Sequence, residues 1–174
     1  MTYKLPIWMG SGSDVLYAAP CVDLSRRLGI KEDLYVISAH KESEKIPDLL
    51  RLYEEDNLIK VLLCIIGKSN GLSPISDFKF TKPVVAYHAT VKDFPNDIWS
   101  SLRMPSGIAH AVTIDPEWAV LLCAKIIAGY DTNVRDNIIK YREDLVRKNE
   151  MENKDGNIQR KVEEEIKRMK EARK

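Results

Sequence analysis

The sequence has few of the residues that mark secreted or metal-binding chains. It holds only three cysteines and three histidines in 174 residues. Cys21, Cys64 and Cys123 are widely separated, and each lies among apolar residues. This pattern is typical of reduced, buried thiols, and its spacing predicts neither a zinc site nor a disulfide framework. We therefore expect no metal site and a cytoplasmic location.

The chain also lacks an excess of charge and any long apolar run. Lys and Arg number 27 against 26 Asp and Glu, so the formal net charge is +1. With such a balance, no overall electrostatic field steers the chain toward nucleic acid or a membrane surface. No apolar stretch is long enough to span a bilayer, and residues 1–4 show no signal-peptide pattern. We therefore expect a soluble globular chain with neither nucleic acid nor membrane as a partner.

Apolar runs and amphipathic stretches alternate along most of the chain. They predict strands at 4–9, 33–38, 60–66, 83–87 and 110–114, and helices at 14–28, 43–56, 71–78 and 116–129. The first helix has Ser13 or Asp14 as its expected N-cap and Gly29 as its end. The unbroken apolar run at 60–66 is typical of a central parallel strand. The predicted fold class is α/β, a three-layer αβα sandwich with a parallel, flavodoxin-like sheet.

The C-terminal part has a different pattern. Two narrow apolar stripes run along charged helical segments, with a break at Asp155-Gly156-Asn157: Val134, Ile138, Tyr141 and Leu145, then Ile158, Val162, Ile166 and Met169. A narrow stripe favours packing against another helix, as in a subunit contact. For 158–174 a frayed, solvated tail is an equal alternative. We predict a domain at 1–130, an extended oligomerisation helix at 131–150 and a charged helical tail at 151–174.

Two short polar clusters each follow an apolar run directly. Gly10-Ser11-Gly12-Ser13-Asp14 follows the first predicted strand, and Ser38-Ala39-His40-Lys41 follows the second. Loops at the carboxyl ends of parallel strands are where ligands bind in open sheets. The first cluster can cradle a phosphate at a helix N-terminus, although any strand-to-helix turn also favours glycine and an N-cap. Its Asp14 does not fit the dinucleotide fingerprint.

His40 is the candidate for proton transfer. It lies in a predicted strand-to-helix loop among small residues, and histidine titrates near neutrality. A lone histidine is also commonly structural, and the position alone leaves both interpretations open. Lys41 can bind a phosphate as a point charge or be an ordinary surface lysine. We expect the other two histidines, His88 and His110, to be structural.

Two further segments suggest a ligand site. Gly67-Lys68-Ser69-Asn70-Gly71-Leu72 follows the central predicted strand, where it is a ligand loop or a plain turn. The run from Trp99 to Gly107 combines an aromatic residue, hydroxyls and an arginine before a Pro-x-Gly turn. Such a segment outside the regular alternation often belongs to a site or an interface.

Together these segments resemble the phosphoribosylaminoimidazole carboxylase family, over about Leu5 to Ile127. The family motifs Gly-Ser-x-Ser-Asp and Ser-Ala-His-Lys match Gly10 to Asp14 and Ser38 to Lys41. The family's Ser-Ser-Leu-Arg-Met-Pro-Ser-Gly run is present as Ser100 to Gly107, and the loop Gly67 to Leu72 is similar to the class II branch, which uses CO2 directly. The mutase branch instead has arginine at the position of Lys41 and a histidine in the third loop. One departure is Tyr87-His88-Ala89, where class II relatives usually have Cys-Pro-Pro.

The resemblance implies carboxylation of 5-aminoimidazole ribonucleotide by CO2 at C4, without metal or cofactor. It implies that His40 is catalytic, that Asp14 holds ribose hydroxyls, and that Ser11, Ser13 and Lys41 bind the phosphate. The other implied substrate-binding residues are Ser38, Ala39, Gly67, Lys68, Ser69, Asn70, Gly71 and Leu72. A neighbouring subunit of a homo-octamer, or the loop itself, is expected to contribute Ser101, Arg103, Met104 and Pro105. The alternatives are the N5-carboxyaminoimidazole ribonucleotide mutase and a non-catalytic nucleotide-phosphate binding module.

Overall fold

A single parallel sheet organises the first part of the chain. The computed structural model describes residues 2–154 and 156–172, and its contacts divide the chain into two compact units, 1–138 and 139–174. The sheet of the first unit has five strands in the order β2-β1-β3-β4-β5. In chain order they are β1 Lys4–Met9, β2 Lys31–Val36, β3 Leu62–Ile66, β4 Val84–His88 and β5 Ala111–Thr113. Every pairing is parallel, which confirms the predicted sheet.

Helices cover both faces of this sheet. The first unit holds five of them: α1 Val15–Arg27, α2 Ile46–Glu55, α3 Leu72–Lys79, α4 Trp99–Leu102 and α5 Pro116–Ile127. Helices α1 and α5 pack against each other, and so do α2 and α3. Residues Trp8, Cys64 and Ala86 point into the core under α2 and α3. The predicted three-layer sandwich is confirmed.

The central strands are buried, and the edges are not. All residues of β3 and β4 are buried, as an unbroken apolar run requires in a sheet covered on both faces. On the edge strand β2, by contrast, Leu34, Tyr35 and Val36 are exposed. The buried part of the sheet is therefore β1, β3 and β4, whose carboxyl ends carry three of the loops of interest.

The strand order favours a ligand crevice between β1 and β3. The chain leaves β1 for the edge strand β2 and then crosses back to β3 on the other side of β1. Met9 at the end of β1 is in register with Ile65 near the end of β3. Loops leaving such a reversal point diverge and open a crevice for a ligand. Residues 10–14 and 67–71 are the two loops at this point.

The predicted element bounds differ from the structure at several ends. Strand β2 is Lys31–Val36, two residues earlier than predicted, because Ser38 already belongs to a turn. The carbonyl of Ser38 accepts the backbone N–H groups of Lys41 and Glu42, at 3.1 and 2.8 Å. The first two helices begin later than predicted because short 3₁₀ turns at Gly12–Asp14 and Ser43–Lys45 precede them. Gly29 ends α1 as predicted, with a φ of +78°.

The second unit is helical. Helix α6, Thr132–Asn153, begins in the first unit, and α7 comprises Asn157–Glu171. No residue of α7 is buried, and an ion pair joins Lys161 to Glu152. The predicted extended C-terminal helix is confirmed. Part of the predicted break, Asp155, lies outside the described residues, and the division at 130 and 150 stays a prediction.

Candidate active site

The loop after β1 presents two hydroxyls at the start of α1. The side chain of Ser11 accepts the backbone N–H of Ser13, and their two hydroxyl oxygens lie 3.0 Å apart. Both serines are exposed, and α1 begins at Val15. The first amides of a helix favour an anion through unpaired donors and the helix dipole. This loop can therefore bind a phosphate with its hydroxyls and the N-terminal amides of α1.

The carboxylate of Asp14 does not cap the helix. Asp14 occupies the N-cap position of α1, but its side chain makes no capping hydrogen bond. Instead it lies against the loop after β3: a β-carbon built on Gly67 would stand 2.6 Å from Asp14 Oδ1. The predicted N-cap residue is therefore confirmed, although its carboxylate lies toward the Gly67 backbone and does not bond to the helix amides. Asp14 is thus a residue of the crevice between β1 and β3.

Burial governs the charge of Asp14. The residue is only 7% exposed, and desolvation raises the pKa of its carboxyl above the usual value, opposed by the backbone amides of Ser11 and Gly10. A buried carboxylate at a crevice is a common feature of functional sites. It is well suited to accept hydrogen bonds from hydroxyl groups of a ligand.

The loop after β2 holds His40 and Lys41 at the same edge. Its start is fixed by the backbone N–H of Ile37, which donates to the carbonyl of Met9 at 2.8 Å. Ala39 is buried, whereas the side chains of His40 and Lys41 are exposed. The turn thus anchors Ala39 in the core and directs an imidazole and an ammonium group toward solvent at the carboxyl edge.

The loop after β3 contacts His40. A β-carbon at Gly71, the N-cap of α3, would stand 3.3 Å from both Cε1 and Nε2 of His40 and 3.4 Å from Cβ of Ala39. The absence of a side chain at Gly71 therefore lets the imidazole lie close to the backbone. Leu72 is buried in the core, and Lys68 and Ser69 are exposed. The three loops of the carboxyl edge meet through two pairs, Asp14 with Gly67 and His40 with Gly71.

Asn70 connects this loop to the fourth predicted segment. Its side-chain amide donates to the hydroxyls of Ser73 at 2.6 Å and Ser101 at 2.8 Å. Its backbone N–H donates to Ser100 Oγ at 3.0 Å. Asn70 and Ser101 are both buried, so these bonds are shielded from water. Ser101 therefore supports the site from within the same chain.

The remaining residues of that segment lie at the surface. Arg103 and Pro105 are exposed, and Met104 is half-buried. Gly107 has a φ of +86°, which glycine adopts without strain, and turns the chain toward β5. Arg103 is thus exposed, and its contribution to a site stays a prediction.

Polar residues after β4 complete the support, and the sequence reasoning missed most of them. The hydroxyl of Thr90 donates to the carbonyl of Gly67 at 2.8 Å. The ring of His88, the last residue of β4, is fully buried, with Nε2 3.0 Å from the carbonyl oxygen of Asp97. Polar residues that follow the earlier strands were expected at the ligand edge of the sheet. The same rule, applied after β4, would have identified Thr90.

Burial favours the neutral form of two histidines and two cysteines. Desolvation lowers the pKa of both His88 and His110, and burial raises the pKa of Cys21 and Cys64 to about 12. These thiols are therefore unreactive near neutral pH. Among residues 2–154 and 156–172, no group of three or more His, Cys, Asp or Glu residues is arranged to hold a metal ion. None of the helices described is long and apolar enough to cross a membrane.

Comparison with known proteins identifies the family. The family described as AIR carboxylase matches residues 4–148. The chain is 36% identical over 141 residues to the phosphoribosylaminoimidazole carboxylase of Archaeoglobus fulgidus, covering 80% of this chain and 77% of that protein. The crystal structure of Treponema denticola PurE superposes with a TM-score of 0.80 at 33% identity, over 86% of this chain and 95% of that one.

A longer animal protein is also similar. The probable multifunctional protein ADE2 of Caenorhabditis elegans is 37% identical over 123 residues, 71% of this chain. The match spans only 29% of that longer protein. The matched family region contains the three loops of the carboxyl edge and the segment 99–107. With a family match over most of its length and a superposable fold, the chain belongs to the AIR carboxylase family.

Proposed function

We propose that the chain carboxylates 5-aminoimidazole ribonucleotide with CO2 at C4. The product is 4-carboxy-5-aminoimidazole ribonucleotide, and the reaction, a reversible step of de novo purine biosynthesis, makes the protein a carboxy-lyase. The observation that carries this proposal is the position of His40, held against Gly71 at the edge where Asp14 meets Gly67. This position sets the imidazole of His40, a group that can accept a proton, beside a crevice suited to a sugar phosphate.

The chemistry needs little beyond positioning and one proton transfer. The aminoimidazole is an enamine, so C4 donates an electron pair to the carbon of CO2 and forms the new bond. C4 then carries both a proton and a carboxylate, and loss of that proton restores the aromatic ring. His40 accepts the proton and passes it to solvent, and in the reverse reaction it returns a proton to C4. Holding CO2 beside C4 contributes further to the rate.

The substrate contacts follow from the loops. Ser11, Ser13 and the amides of α1 bind the 5'-phosphate, and exposed Lys41 adds a positive charge. Asp14 accepts hydrogen bonds from the ribose hydroxyls. The loop from Gly67 to Leu72 shapes the pocket for the imidazole and the new carboxylate. Ser38 and Ala39 position the turn that carries His40.

The same proposal extends to the oligomeric state and the location of the protein in the cell. A homo-octamer would bring Arg103, Met104 and Pro105 of one subunit toward the site of another, and α6 would supply part of the contact. Exposed apolar residues of α6, among them Ile139 and Val146, support such a contact. The free, buried thiols support a cytoplasmic location.

An assay without ATP tests the reaction. Purified protein is mixed with aminoimidazole ribonucleotide and either dissolved CO2 or bicarbonate, and the 4-carboxylate is followed in the ultraviolet. We expect product from the unmodified ribonucleotide, with a faster initial rate from CO2 than from bicarbonate.

Two other outcomes would contradict the proposal. Product formed only from the N5-carboxylated isomer would identify a mutase. Tight binding of the ribonucleotide, with neither carboxylation nor decarboxylation, would identify a binding module.

A further inference from the structure

His88 is a buried polar residue behind the candidate site. It ends β4 and is in register with Ile66, the residue before the loop at Gly67. It is fully buried, and its Nε2 lies 3.0 Å from the carbonyl oxygen of Asp97. A carbonyl oxygen can only accept a hydrogen bond, so Nε2 carries a proton, and burial lowers the pKa of the ring, which favours its neutral form.

The other ring nitrogen makes no hydrogen bond. Nδ1 of His88 is buried and has no partner among the described residues. If the ring served packing alone, an apolar side chain of similar volume would fill the space without this cost. What the histidine supplies at this position is its hydrogen bond to Asp97.

That bond begins a chain of contacts that ends at His40. The carbonyl of Asp97 also accepts the hydroxyl of Ser100, at 2.6 Å. Ser100 Oγ in turn accepts the backbone N–H of Asn70, at 3.0 Å. Asn70 directly precedes Gly71, whose backbone lies against the imidazole of His40.

We propose that His88 is a positioning residue for the reaction, acting through Asp97, Ser100 and Asn70 on the place of Gly71 beside His40. Its Nε2–H bond holds the 3₁₀ turn Pro95–Ile98 against the end of β4. Because α4 follows that turn directly, the same bond sets where Ser100 meets Asn70. This role rests on the proposed function, but the contacts themselves do not require a ligand.

Two substitutions at the same position test the hydrogen bond. His88→Leu keeps an apolar side chain in the core and removes the donor. His88→Gln places an amide donor near the position of Nε2. We expect kcat of the leucine variant to fall about tenfold, the effect of one lost hydrogen bond, with KM for the ribonucleotide changed less than about twofold. The glutamine variant should recover most of the loss.

Amide hydrogen exchange gives a readout that needs no substrate. The Asn70 N–H should exchange about tenfold or more faster in His88→Leu than in the wild type, and close to the wild-type rate in His88→Gln. If the wild type makes no product while these exchange rates differ as expected, the proposed function fails and the positioning of the loop stands.

A matched variant separates positioning from loss of stability. Val85→Ala lies on the same strand, is buried, and takes no part in this chain of contacts. It should lower the melting temperature without changing kcat per folded molecule. The proposal would be overturned if the leucine and glutamine variants had equal kcat values and equal Asn70 exchange rates. It would also be overturned if kcat fell no more in His88→Leu than in Val85→Ala.

Discussion

The imidazole of His40 lies directly against the backbone of Gly71. A β-carbon at that glycine would stand 3.3 Å from both Cε1 and Nε2, closer than nearly all side-chain contacts. The φ of Gly71 is −108°, so its backbone does not require glycine. Glycine is instead favoured by the ring of another loop, because a side chain at position 71 would crowd the imidazole of His40.

Replacing His40 by asparagine should remove turnover and leave binding. Asparagine cannot accept the C4 proton, and loss of a general base costs about 10²- to 10⁴-fold. We expect kcat to fall by that factor, while titration calorimetry gives a dissociation constant for the ribonucleotide within about threefold of the wild type. Near-normal turnover would exclude His40 as the base.

Replacing Gly71 by alanine should move the imidazole slightly. The ring must shift by a few tenths of an ångström to admit the new methyl group. Because small misplacements of a catalytic group cost rate, we expect kcat to fall by up to about tenfold with KM unchanged. Steady-state kinetics measure both, and a change in KM alone would show that Gly71 contacts substrate rather than positioning the base.

Replacing Gly67 by alanine should destabilise the fold as well as the site. The new β-carbon would stand 2.6 Å from Asp14 Oδ1, so the buried carboxylate must move. We expect a loss of about 1–3 kcal/mol in the free energy of unfolding by urea.

Gly12→Ala is the matched control for this measurement. A β-carbon there meets nothing within 4 Å, so its free energy of unfolding should change by less than about 0.5 kcal/mol. Equal losses at the two positions would show that the Asp14 contact is not the cause.

Replacing Asn70 by alanine should loosen the segment 99–107. Three hydrogen bonds of its side chain disappear, and the buried hydroxyls of Ser73 and Ser101 lose a partner. We expect a loss of about 1–3 kcal/mol in the free energy of unfolding. The exposed neighbour substitution Ser106→Ala should be close to neutral, and a neutral Asn70→Ala would refute the role of this network.

The buried carboxyl of Asp14 should make stability depend on pH. Its folded pKa is raised by desolvation, so its contribution to folding is fully present below the unfolded pKa and is lost as pH rises through the folded one. Asp14→Asn does not titrate. Between about pH 3.5 and pH 7, the unfolding free energy of the wild type should therefore fall relative to that of Asp14→Asn. A constant difference across that range would contradict the raised pKa.

Much of this arrangement could be predicted from the sequence. Apolar runs such as 60–66 predicted the buried strands, because a parallel sheet covered on both faces needs them. Polar clusters after those strands predicted the site loops, because the carboxyl ends of parallel strands lie at one edge. The observed strand order agrees with the predicted flavodoxin-like sheet, whereas the individual contacts between the loops followed only from the structure.

Pairwise contacts across the chain could not be predicted. Asp14 has the sequence pattern of a helix cap, yet its carboxylate lies over Gly67. The resemblance implied that Asn70 binds substrate, whereas in the structure it binds Ser100 and Ser101. Local patterns report local propensities, and these contacts depend on how distant segments are packed.

The contact of Asp14 with Gly67 also bears on how relatives of this chain can diverge. A methyl group at position 67 is excluded only while a carboxylate occupies the space above it. A smaller side chain at position 14 would open that space, so the two positions should behave as a coupled pair in a double-mutant cycle. In an alignment of many relatives, we expect alanine or serine at position 67 to occur together with the loss of aspartate at position 14.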